Sequence, residues 1–97
     1  MTQYLLLSGL KIKWHVDGDA TWAMDCDFHG KDVAFVRVQG KECGPSCQAR
    51  LDCTHFTWSS YEGGTCWMKS GRVRREEAVT SEDTKGNVCG ILNKGMK

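Results

Sequence analysis

Apolar and polar residues alternate along much of this chain. In residues 11–16, Ile12, Trp14 and Val16 fall on one side and Lys11, Lys13 and His15 on the other, the period of a half-buried strand. Asp17, Gly18 and Asp19 then supply a turn. Trp22, Met24, Cys26 and Phe28 hold even positions, with Ala23, Asp25 and Asp27 between them. This pattern predicts the cleanest strand in the sequence, its even positions buried. Gly30 breaks it, and residues 33–38 form another β-rich run ended by Gly40. Residues 41–50 predict a short helix. Cys43 and Cys47 are four apart, so both lie on one helical face and reach the same sheet. Pro45 is tolerated there only in the first turn, where its missing N–H has no partner in any case.

Residues 54–58 and 65–69 read as two antiparallel strands, joined by residues 59–64 with Gly63 and Gly64 supplying positive φ. Phe56 and Trp58 face one way on the first strand, His55 and Thr57 the other. On the second, Cys66 and Met68 share a face opposite Trp67 and Lys69. Residues 72–83 are polar and mixed in charge, with weak helical or loop character, and residues 88–92 form a closing strand. Trp22 and Trp58 are expected in the core, with Trp14 left open.

Ninety-seven residues fit one domain with a modest core, a size that often needs covalent help. At 40% hydrophobic and 26% charged, with one proline, the composition excludes a disordered chain. A net charge of +1 removes the strong field that nucleic acid or an anionic membrane would require. The longest uncharged apolar run, residues 4–10, is far short of the roughly 20 residues that span a bilayer. It is also short for a secretory signal, and no basic residue precedes it. The chain therefore reads as a mature protein or a module cut from a larger one. No N-x-[ST] site is present, so N-glycosylation is not expected.

The six cysteines are Cys26, Cys43, Cys47, Cys53, Cys66 and Cys89. Structural zinc sites favour paired ligands two to four residues apart, and only Cys43 and Cys47 approach that spacing. His15, His29 and His55 form no H-x3-5-H partner. Disulfides are the better reading, and with them an oxidising, extracellular compartment. Spacing alone leaves 15 pairings open.

Trp22-Ala23-Met24-Asp25-Cys26-Asp27-Phe28 and Gly30 are followed by Cys43-x3-Cys47-x5-Cys53-Thr54-His55-Phe56-Thr57-Trp58. Then come Gly63-Gly64-Thr65-Cys66-Trp67-Met68-Lys69 and finally Cys89. In the order and spacing of all six cysteines this resembles a PAN/apple domain, over residues 22–92. The resemblance implies an α+β fold: a disulfide-rich antiparallel sheet crossed by one short helix. It also implies the pairs Cys43–Cys66, Cys47–Cys53 and Cys26–Cys89. Pro45 departs from the family's helix and should shorten it. Residues 1–21 precede the motif as an extension in which Ile12, Trp14 and Val16 add an edge strand, and residues 93–97 form a tail.

PAN/apple domains are non-catalytic modules that bind proteins or carbohydrates, so the resemblance implies a secreted binding module, with no cofactor and no metal. The motif variant looks more like microbial and invertebrate modules, some of them accompanying polysaccharide-active proteins. Four tryptophans in this length are many, and an aromatic ring with a polar handle suits a pyranose. Trp67 is the first candidate ligand residue, with His55, Thr57 and Lys69 beside it on its strand face and Tyr61 on the adjoining loop. A second layer over this face would instead make Trp67 core. The alternative function is a protein-interaction module in adhesion or assembly, monomer or weak dimer, with an apolar patch from Leu5, Leu6, Leu7 and Ile12. An inhibitor of a protease or receptor is a weaker third.

Asp17, Asp19, Asp25, Asp27 and Asp32 concentrate negative charge, but they do not match a calcium loop, and a turn explains Asp17 and Asp19 better. Lys69, Arg72, Arg74 and Arg75 form a basic run that Glu76, Glu77, Glu82 and Asp83 neutralise. With every cysteine paired, none remains as a nucleophile. No G-x-S-x-G or H-E-x-x-H motif is present, so the sequence carries no sign of an enzyme.

Overall fold

A computed structural model describes residues 12–95. Six strands form one antiparallel sheet: β1 (His15–Asp17), β2 (Ala20–Met24), β3 (Asp32–Val36), β4 (His55–Ser59), β5 (Thr65–Lys69) and β6 (Val88–Leu92). Their order across the sheet is β1-β2-β6-β4-β5-β3. The last strand therefore does not sit at an edge but returns between β2 and β4. One short helix, α1 (Cys43–Ala49), follows a single turn of 3-10 helix at Gly40–Glu42. Pro45 stands in its first turn, where no intrahelical N–H bond is lost. Among the described residues no helix is long and apolar enough to cross a membrane. Leu5, Leu6 and Leu7 lie outside the described residues.

The disulfides are Cys26–Cys89, Cys43–Cys66 and Cys47–Cys53, the pairing that the resemblance implies. Two of them tie α1 down: Cys43 to β5, and Cys47 to the residue that leads into β4. Each covalently closed loop contributes about 2–4 kcal/mol by restricting the unfolded chain. The result is a small disulfide-rich α+β fold.

Register divides the sheet into two faces. Phe56, Trp58, Cys66, Met68, Val88, Leu92, Trp22 and Met24 share the helix side. There α1 packs mainly on β4 and β5, over a core of Phe56, Met68, Leu92 and the sulfurs of Cys43, Cys47, Cys53 and Cys66. Gly90 stands opposite Phe56, whose ring lies over it; a Cβ there would come within 2.3 Å of the ring. The other face carries a second layer in which Phe28, Val73 and the Cys26–Cys89 bridge pack on Ala23 and Ile91. Ile12 and Trp14 join this layer, Trp14 stacking on Phe28 at 6.3 Å between ring centroids. They are layer residues and not strand, so β1 is shorter than the alternation from residue 11 predicts.

The prediction for residues 22–28 needs correction. β2 ends at Met24 because Asp25 adopts φ 60°, in the left-handed region. It is clamped there. Its carbonyl accepts hydrogen bonds from the Thr80 and Thr84 hydroxyls, and its carboxylate accepts one from the Gly86 N–H. The kink swings Cys26 and Phe28 to the face opposite Trp22 and Met24. Thr21 and Ala23 are the buried residues of β2, while Met24 is 47% exposed and Trp22 only half-buried against His15. Trp22 is therefore not core. Trp58 is half-buried beside α1, its ring N–H donating to the Val38 carbonyl at 2.8 Å.

Candidate functional site

β4 and β5 place the predicted ligand residues on one sheet face: Thr57 opposite Trp67, and His55 opposite Lys69. The second layer then divides them. It covers His55, which is 1% exposed and meets the Phe28 ring edge-on at 5.4 Å. Thr57 is buried too, its hydroxyl oxygen accepting from the Phe28 N–H at 3.1 Å. Lys69 is 4% exposed; its ammonium donates to the Gly30 carbonyl and to the Asp32 carboxylate. His55 is accordingly shut off from solvent, whereas Thr57 and Lys69, though buried, still reach the lining of the depression beside Trp67. The second layer that the sequence left open as the alternative to an exposed face is present over these three residues: the polypeptide from Cys26 to Gly30 crosses them.

That layer stops short of Trp67. At this end of the sheet the edge strand β3 sets Phe35 opposite Trp67, with ring centroids 5.4 Å apart. Tyr61 approaches from the β4–β5 connection, 6.0 Å from Trp67. Phe35 and Tyr61 are 55% and 56% exposed, whereas Trp67 between them is half-buried. The Trp67 ring N–H donates to the Ser59 hydroxyl at 3.2 Å, which fixes the indole.

Tyr61 is held by a tight connection. Glu62 has φ 49°, followed by Gly63 at 86° and Gly64 at 127°. A Cβ on Gly64 would stand 2.7 Å from the Val38 carbonyl oxygen, so only glycine fits. The strained Glu62 is held by an ion pair with Arg37 at 2.6 Å. The Arg37 guanidinium in turn lies 4.8 Å from the Phe35 ring centroid and 5.8 Å from that of Tyr61, within cation–π range of both. Phe35 and Arg37 belong to this ring cluster, though the sequence alone did not single them out. Their alternation with Ala34 and Val36 puts them on one face, but only the pairing of β3 with β5 shows which.

Beside Trp67 opens a depression of about 350 Å³, with Thr57 and Lys69 in its lining and Asp27, His29, Ser59 and Asn87 around it. Asp27 and His29 stand 3.4 Å apart, and both reach solvent. The basic run does not form one patch. Lys69 is buried in the sheet, and Arg74 lies 3.9 Å from Glu77. Among the described residues, no three metal-ligating side chains converge.

A second recess, of about 650 Å³, lies on the helix side. Its floor is Trp22, Met24, Val88 and Leu92, and one wall is the Gly44–Pro45 flank of α1. No family model matches the chain, and no curated protein or solved structure matches it either.

Proposed function

We propose that this chain is a non-catalytic extracellular binding module of the PAN/apple type, and that it holds a carbohydrate against Trp67. The observation that carries the reading is the row of rings, exposed Phe35 and Tyr61 with half-buried Trp67 between them, beside a depression with polar walls. Aromatic faces take the C–H side of a pyranose, and hydroxyls need nearby donors and acceptors. Asp27, His29, Ser59 and Asn87 offer both. Ser59 accepts from the indole, and among the described residues its own O–H has no acceptor and can donate. The platform is pre-set by disulfide-tied strands and the Arg37–Glu62 pair, so little ordering cost falls on binding. Three disulfides fit an oxidising compartment.

The test is retention on cellulose, chitin and mannan, with a glycan array in parallel. Trp67→Ala should weaken binding at least about tenfold, the order expected for losing a stacked ring. Phe35→Ala should weaken it less. Circular dichroism and thermal melts must show both variants folded. Undiminished retention by folded Trp67→Ala would remove the site.

A further inference from the structure

The helix-side recess is a different surface, and nothing in the platform reading uses it. Its floor is the large apolar half of β2, Trp22 and Met24, continued by Val88 and Leu92 of β6. An alternating strand usually turns that half inward. Here α1 covers β4 and β5, and the small residues Thr21 and Ala23 face the other core. Apolar surface is left in a groove whose α1 wall is kept low by Gly44 and Pro45.

The two ends of the groove differ in charge. Asp17, which ends β1, and Asp19, on the β1–β2 turn, line the end at Ala20 and Leu92. Both are exposed, and neither has an ion-pair partner among the described residues. Lys41 marks the other end. Gly40 lies against the Trp58 ring, Trp58 pairs with Val88, and Val88 with Met24. From Ala20 to Met24 the floor runs about 13 Å, the length of four extended residues.

We propose that this groove docks an extended peptide segment of a partner protein. The segment carries one basic residue against Asp17 and Asp19 and apolar side chains over Trp22 and Met24. Lys41 excludes a second cation at the far end. Charge complementarity selects this occupant.

The probe is a fluorescein-labelled, amidated peptide Arg-Leu-Val-Phe, titrated by anisotropy into the full chain, with Glu-Leu-Val-Phe as its counterpart. The arginine peptide should bind and the glutamate peptide should not. Replacing both carboxylates (D17N with D19N) should cost about fivefold and flatten the salt dependence. Met24→Glu should abolish binding; the side chain is exposed, so the fold survives. Phe35→Ala should leave it unchanged, which separates this site from the aromatic platform. Equal binding of both peptides, no binding, or insensitivity to Met24→Glu would each overturn the proposal. So would self-association that Met24→Glu removes, which assigns the groove to a second copy. Binding that appears only after deletion of residues 1–11 assigns it to the chain's own beginning and overturns the proposal equally.

Discussion

His55 is packed where its charge would be costly. Burial, and then the neighbouring Lys69 ammonium, push its pKa down from 6.5 to about 4. Its tautomer follows from its neighbour. The Thr54 hydroxyl donates its proton to the Gly71 carbonyl, so it must accept from the Nδ1–H of His55 at 2.9 Å. Because the folded pKa lies below the unfolded one, the native state binds fewer protons between them. Stability is fully present above pH 6.5 and declines as pH falls toward about 4. The whole loss is up to about 3 kcal/mol. Urea melts of the wild type and His55→Gln at about pH 7 and about pH 4.5 should show the steeper loss in the wild type. Parallel pH slopes for the two proteins would place the acid sensitivity elsewhere.

Gly90 shows what an element demands of one position. It lies mid-strand in β6 with the Phe56 ring across it, and a methyl group there would overlap the ring. Gly90→Ala should therefore cost about 1–3 kcal/mol, read as a lower denaturant midpoint with unchanged slope. Glycine is otherwise a weak strand former, so sequence patterning gives no sign of this role. The β4–β5 pair was far more legible. Its apolar alternation, bounded by Cys53 and the glycine-rich connection, places Phe56 and Met68 on one side and Thr57 and Trp67 on the other, as the register has them. β2 was not legible to its end. A period of two shows that residues share a side but not which layer waits there, and one left-handed residue, Asp25, sent Cys26 and Phe28 across the sheet. The same limit applies to the site. Trp67 could be placed on a strand face, but the polypeptide that buries His55 and spares Trp67 comes from residues about 30 positions earlier in the chain.

At the scale of the whole molecule, the two candidate surfaces lie on opposite faces and toward opposite edges of one sheet. The ring platform uses β5 and β3, and the groove uses β2 and β6. Neither overlaps the other, so occupancy of one should leave the affinity of the other unchanged. The three disulfides lie in the two cores, and all six cysteines are 0% exposed. A thiolate must reach sulfur directly to exchange with it, so reduction has to wait for the protein to open. With dithiothreitol as reductant, the rate of thiol release should rise at low concentration and then reach a plateau equal to the opening rate. A rate that stays proportional to reductant would mean that one bridge is attacked in the folded state. Durability in a reducing medium thus becomes a clock, wound by the frequency of spontaneous breathing and indifferent to how much attacker surrounds the protein.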